Sequence, residues 1–322
     1  MQYTTLGRTG LRVSVAGLGC GGNSRIGLGA GLDEAGSIAI VRAARDQCLN
    51  FFDTAEVYGT EELLGKALTT GERGDVVIST KSRYLRGTER MSAAEVVANL
   101  EASLKRLATD YVDVFLLHGV RPADVAYCRE ALLPALLEAK AAGKARHIGM
   151  STSPPFDPEQ AAAVAALDEP AFEVMMLAFH MLHQGARRDL FPRTLARGVG
   201  TLMMFVVRNI FSRPGLLAET AARLAAEGKL DPATVDVNDP LGFLVHEGGA
   251  ANLIDAAYRF VRHQPGADIV LFGTSSIAHL KSNIASILAP PLPAADVARV
   301  HALFGALSGV GLDLPDHVKP AA

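Results

Sequence analysis

Short uninterrupted apolar runs recur along the chain at residues 15–19, 50–53, 76–80, 113–118, 146–150, 173–179, 199–206 and 269–272. Most are too short for buried helices and are bounded by polar or turn residues, so they predict eight strands covered on both faces. Between them the spacing of apolar positions becomes helical, over Asp33–Gln47, Met91–Leu107, Pro122–Ala142, Pro158–Leu167, Arg187–Arg197 and Leu253–His263. Thr60 stands where it can cap a further helix in which Glu62 and Lys66 are four apart. Alternating strands and helices predict a parallel sheet with crossover helices, and eight such units predict closure into a (β/α)8 barrel in a single domain over residues 1–322. The stretch Tyr3–Ser14 alternates around a Gly-bearing turn and predicts a β-hairpin able to plug the bottom of that barrel. Asn209–Gly249 and Pro290–Ala322 fit no repeat, and are expected as long functional or partly helical loops extending the face at the carboxyl ends of the strands.

An open doubly wound sheet competes with the barrel, and its dinucleotide-binding form wants GxGxxG after the first strand and an acidic residue closing the second. Here the turn reads Gly17-Leu18-Gly19-Cys20-Gly21-Gly22-Asn23, with a Gly-x-Gly but no acidic residue at the required distance. Composition narrows the field further. A length of 322 residues with 49% hydrophobic content suits one α/β barrel, and a net charge of −3 offers no general field for nucleic acid or an anionic membrane. No apolar stretch approaches the roughly 20 residues that span a bilayer, and the first residues carry no apolar export signal, so a cytoplasmic protein is expected. Cys20, Cys48 and Cys128 are odd in number and widely spaced, and read as buried reduced thiols.

Four ionisable residues stand at or just past the ends of apolar runs: Asp53 after Asn50-Phe51-Phe52, Tyr58 in the following loop, Lys81 after Val76–Thr80, and His118 after Asp113–Leu117. In parallel sheets and barrels the chemistry gathers at those carboxyl ends. Taken alone, each has a structural explanation as a turn cap, a packing ring or a core histidine. A charged lysine at the end of a buried strand is harder to explain without a partner, because its desolvation costs several kcal/mol. Together, Asp53-Thr54-Ala55-Glu56-Val57-Tyr58-Gly59, Ser79-Thr80-Lys81 and Leu116-Leu117-His118 resemble the catalytic tetrad of the aldo-keto reductase superfamily in order and spacing. The likeness extends to Thr5–Leu11, to Gly143–Ser151 and to Gly273–Asn283.

That resemblance implies the (β/α)8 barrel and an extended nicotinamide cofactor, NADP(H) in preference to NAD(H), lying across the strand ends. Carbonyl reduction needs a hydride at carbon and a proton at the developing alkoxide. Tyr58 is the proton donor, with Lys81 expected to lower its pKa, Asp53 to hold Lys81 charged, and His118 to orient the carbonyl. The family's Ser-Asn pair corresponds to Ser151 and Thr152, its strand-six Gln to Met176, and the aromatic that stacks on the nicotinamide to Met204. Strand alternation aims one residue of each pair, Met175/Met176 and Met203/Met204, into the barrel. The pyrophosphate loop corresponds to Phe205, Val206, Val207, Arg208, Asn209 and Ile210, with Arg208 as an added phosphate contact. Gly273, Thr274 and Ser275 precede a helix amino terminus suited to phosphate, His279 takes the place of the 2′-phosphate arginine, Ser282 that of a following acidic residue, and Asn283 matches an adenine contact.

The substrate is expected to be a small carbonyl compound, with pocket walls from Gly22–Ile26, Tyr84, Gly119–Arg121 and 209–249. Two other readings share the fold: a cofactor-binding partner protein with slow turnover, like the β subunits of voltage-gated potassium channels, and a dehydrogenase oxidising a sugar lactol or a steroid-like alcohol. His180 and His183 lie three apart without a matching carboxylate cluster, so no metal is expected. The sequence leaves the oligomeric state open.

Overall fold

A computed structural model describes residues 1–68 and 73–313. Its strands are β1 (Tyr3–Thr5), β2 (Arg12–Ser14), β3 (Ala16–Gly19), β4 (Phe51–Asp53), β5 (Val77–Arg83), β6 (Leu85–Arg86), β7 (Glu89–Arg90), β8 (Val112–Val120), β9 (Ala145–Thr152), β10 (Val174–Ala178), β11 (Gly200–Met204) and β12 (Ile269–Phe272). Eight of them close a parallel barrel in the order β3-β4-β5-β8-β9-β10-β11-β12, and β12 returns to β3 through Phe272 opposite Leu18. Each of the eight coincides with one of the apolar runs. The helices are α1 (Glu34–Asp46), α2 (Glu61–Leu68), α3 (Ala93–Leu107), α4 (Val125–Tyr127), α5 (Leu133–Ala141), α6 (Ala161–Ala166), α7 (Gly185–Asp189), α8 (Phe191–Arg197), α9 (Asn209–Ser212), α10 (Leu216–Ala226), α11 (Leu253–Arg262), α12 (Ile277–Leu288) and α13 (Ala294–Phe304). Among the described residues, no helix is long and apolar enough to cross a membrane.

Alternation along each strand sorts the core into two layers. Phe51, Val114, Leu116, Val174, Met176, Leu202 and Ile269 fill the barrel interior, whereas Phe52, Phe115, Leu117, Met175 and Met203 pack outward against the helices. The methionine pairs divide as alternation requires.

The hairpin of β1 and β2 closes the amino-terminal end, putting Leu6 and Val13 into the interior cluster. Its turn docks closely: a Cβ on Gly7, at φ +48°, would fall 2.3 Å from the Gly200 backbone nitrogen. The Arg8 guanidinium donates to the carbonyls of Arg197 at 2.6 Å and Pro170 at 2.5 Å, tying the hairpin to two distant connections.

Several local expectations are corrected. The expected helix over Pro122–Ala142 is interrupted by a π-helical turn at Cys128–Leu132, directly before Pro134, which has no N–H to donate back along the helix. α6 starts only after Gln160, which takes a left-handed φ of 52°. Thr60 precedes α2, its carbonyl accepting from the Leu64 amide at 2.9 Å, while its hydroxyl meets that of Thr54 at 3.0 Å. Cys48 is exposed at φ +60° in the turn after α1, unlike buried Cys20 and Cys128. The long segments are partly helical, as expected: 209–249 contains α9 and α10, and α13 follows Pro290; residues 314–322 lie outside the described residues.

Candidate active site

Asp53 ends β4, and a single 3-10 turn, Glu56–Tyr58, closed by left-handed Gly59 at φ 67°, presents Tyr58 five residues later. Lys81 lies within β5 and His118 within β8, where Arg83 is the register partner of His118. Lys81 is wholly buried, and its Nζ donates to both Asp53 carboxylate oxygens at 2.6 Å and to the Thr54 carbonyl at 2.7 Å. The same ammonium lies 5.1 Å from the Tyr58 ring centroid. Across from it, the Tyr58 hydroxyl is 3.5 Å from His118 Nε2, with the two rings nearly perpendicular at 88°. The structure thus brings all four tetrad candidates together.

The electrostatics refine the expected roles. Burial works against charge on Lys81, but the Asp53 carboxylate and the Tyr58 phenol outweigh it and hold the amine above its ordinary value. Burial pushes the Tyr58 phenol upward; Lys81 lowers it, as expected, without overcoming the burial, so the expected net depression is corrected. His118 is lowered to about 3 by burial and then by the charges of Lys81 and Arg83, so its imidazole is neutral. Its Nδ1 is buried with no hydrogen-bond partner among the described residues.

The expected nicotinamide contacts gather on adjacent strands: Ser151 and Met176 are register partners on β9 and β10, and Ala178 pairs with Met204 on β11. Ser151 Oγ accepts from the Gly119 amide at 2.8 Å, leaving its own proton to donate. Thr152 Oγ1 lies 3.4 Å from both Gln160 Oε1 and the Met176 carbonyl, long contacts that hold it weakly. Met176 is buried in the barrel interior, and Met204 packs against the same cluster.

On the phosphate side, Phe205 takes a left-handed φ of 65°, Val207 is half-buried, and Arg208 donates to the Asp313 carboxylate at 3.0 Å and to the Asp313 carbonyl. Arg208, expected as a phosphate contact, is therefore engaged by the segment after α13. Beyond β12, Gly273 approaches the loop after β3, since an added Cβ would fall 2.7 Å from Ser24 Oγ. Thr274 Oγ1 accepts from Ser276 N at 3.1 Å, and Ser275 Oγ reaches the Ser24 carbonyl at 3.5 Å. His279 is exposed, Asn283 half-buried and Ser282 exposed, all within the first two turns of α12. Among the described residues, no cluster of His, Cys, Asp or Glu could hold a metal.

Two residues of this face escaped the sequence reading. Gln160 is buried and clasps the end of β10, donating to the Ala178 carbonyl at 3.0 Å and accepting from its amide at 2.9 Å. Gly21 leaves the space that Tyr58 fills, for a Cβ there would lie 2.4 Å from the ring. Neither role has a local signal, though the Gly-rich turn hinted at a close approach.

Residues 17–304 match the family model described as the Aldo/keto reductase family. The aldo-keto reductase YhdN of Bacillus subtilis is 28% identical over 305 residues, covering 88% of this chain and 87% of that one. L-galactose dehydrogenase of Arabidopsis thaliana is 28% identical over 300 residues, covering 89% and 88%. Among solved structures, the holo form of aldo-keto reductase AKR11C1 from Bacillus halodurans superposes with a TM-score of 0.72 at 24% identity, over 97% of this chain and 100% of that one.

Proposed function

The chain belongs to the aldo/keto reductase family, whose members are oxidoreductases of carbonyl and alcohol groups using nicotinamide cofactors, and from this premise we propose that it reduces an aldehyde or ketone to its alcohol with Tyr58 as general acid. The observation that carries the reading is the buried Lys81 held by Asp53 at 2.6 Å beneath the Tyr58 ring. An ion pair in this position is a poor source of stability, because desolvating both charges offsets their attraction. It is well placed to polarise a phenol.

The residues present fit an extended dinucleotide. Ser151 and Met176 are paired on β9 and β10, with Thr152 one residue further along β9 and Met204 at the end of β11, for the nicotinamide end, while Phe205–Arg208 follows β11 and Gly273–Ser275 follows β12 for the phosphates. His279 and Asn283 on α12 extend the line to the adenosine end, and the exposed imidazole of His279 favours the 2′-phosphate of NADP(H) over NAD(H). When bound, the nicotinamide supplies the hydride. Thr152 and Met176 offer less than an amide would, so the hold on the carboxamide is weak.

A carbonyl oxygen placed between Tyr58 and His118 meets two donors. Neutral His118 donates from Nε2 and fixes the oxygen's position. Tyr58 transfers its proton as the alkoxide develops, and Lys81 stabilises the phenolate left behind. Burial, which raises Tyr58 against the pull of Lys81, leaves the phenol protonated at neutral pH, the form that acts as the acid in reduction.

The test is fluorescence titration with NADPH and NADH, followed by aldehyde reduction in the native protein and in Tyr58→Phe. Exchangeable NADPH binding with turnover is expected, and Tyr58→Phe should lower kcat by at least ~10²-fold with cofactor binding nearly intact. Equal rates in the variant would overturn the role of Tyr58, and binding without turnover would turn the reading towards a partner protein.

A further inference from the structure

Arg83 and Arg121 remain unused by the chemistry above. Arg83 ends β5 opposite His118, Arg121 follows the end of β8, and both are exposed at the mouth of the barrel. Neighbouring arginines are paired: Arg86 with Glu95, Arg90 with Asp124, and Arg106 with Glu61. Among the described residues, no carboxylate lies within ion-pair distance of the Arg83 or Arg121 guanidinium. Asp53 is locked to Lys81, and Asp124 accepts from Arg90 and Tyr84; Glu56 accepts the Arg83 backbone N–H at 2.7 Å and lies near enough for the Arg83 charge to pull its carboxyl down against the upward push of burial.

Topology separates these two cations from the cofactor phosphates. In the ring of eight strands, β5 faces β11 and β8 faces β12, so Arg83 and Arg121 stand across the barrel from Phe205–Arg208 and Gly273–Ser275. Arg25, by contrast, is on the loop after β3, with its Nε on the Tyr58 carbonyl at 2.9 Å. The Arg83 charge reaches His118, and the Arg121 guanidinium lies 5.7 Å from the ring of Phe156, an exposed aromatic on the loop after β9. The far wall of the mouth therefore carries two exposed cations without an ion-pair partner among the described residues, Arg83 beside Glu56 and Arg121 beside the Phe156 ring.

Resting on the reductase reading, we propose that Arg83, with Arg121 beside it, receives the carboxylate of a short aldehydo- or keto-acid whose carbonyl oxygen sits between Tyr58 and His118. A guanidinium fork matches a carboxylate in two parallel hydrogen bonds. Arg83 and His118 are register partners on neighbouring strands about 4.8 Å apart, so a short acid is the class that meets both. Longer neutral aldehydes leave both cations unpaired.

The experiment compares kcat/KM for 4-oxobutanoate, its methyl ester and glyceraldehyde 3-phosphate at saturating NADPH. The acid should exceed the ester by about tenfold or more, mainly through KM, the size expected for a hydrogen bond to a charged group. That ratio should collapse towards one in Arg83→Ala, recover partly in Arg83→Lys, and fall with added salt in the native protein, since exposed charges are screened. The salt series needs no variant. A native ratio near one, a ratio unchanged in Arg83→Ala, or a preference for the phosphorylated aldehyde would overturn the carboxylate assignment while leaving the reductase intact. Failure to reduce any carbonyl with cofactor bound would instead overturn the reductase reading, and this one with it.

Discussion

The ring of Tyr58 occupies the space that a side chain at position 21 would need, a Cβ there lying 2.4 Å from the ring. Gly21→Ala must therefore move the ring, and with it the hydroxyl now 3.5 Å from His118. Because misplacement of a reacting group by about 1 Å can cost on the order of 10²-fold in rate, Gly21→Ala should lower kcat by at least ~10-fold with little change in the dissociation constant for NADPH. Steady-state kinetics beside a fluorescence titration measure both, and an unchanged kcat would show that the ring does not depend on this gap. The four candidates Asp53, Tyr58, Lys81 and His118 were legible as a set, since each stands at or just past the end of an apolar run and the structure brings them together. Gly21 and Gln160 were not. The first acts by lacking a side chain, and the second reaches Ala178, 18 residues along, through a contact that no local pattern announces.

Elements were read more reliably where they are buried on both faces. All eight barrel strands were visible as apolar runs, because in such a sheet neither face can be polar. Helix α1 was placed within a residue, its amino end set by Asp33, whose side chain accepts from the Gly36 amide. What escaped depends on backbone detail or remote packing: the π turn before Pro134 and the left-handed Gln160 that shortens the next helix. The hairpin of β1 and β2 was expected as a plug, and its stability can be tested at Leu6, which is fully buried in the barrel interior. Leu6→Ala should cost about 2–5 kcal/mol of unfolding free energy, the usual penalty for emptying a well-packed leucine site. Urea denaturation checks it. A loss under about 0.5 kcal/mol would mean that the plug contributes little to closing the barrel.

For the molecule as a whole, two fully buried histidines predict acid sensitivity. Burial holds His183 down at about 4 and His180 well below its ordinary value, helped by His183 and Arg208 around the latter and by Arg188 around the former. Below pH ~6.5 the unfolded chain binds protons that the native one refuses, so stability is lost as pH falls. Asp268, raised to about 6 by burial, acts in the opposite sense between that value and the ordinary carboxylate range. With His118, held down at about 3, acting in the same sense as His180 and His183, the net expectation is a loss of stability between pH 7 and pH 5, read from urea midpoints, and a smaller loss in His183→Gln. Equal stability at the two pH values would contradict it. The closure of the ring has a consequence in time. β3 completes its pairing only with β12, some two hundred and fifty residues later in the chain. At ribosomal rates that interval is on the order of tens of seconds, during which one edge of the first barrel strand has no neighbour. The finished barrel presents no free strand edge around its ring, but every newly made copy passes through a period with one exposed, and that is when it is most open to pairing with another chain.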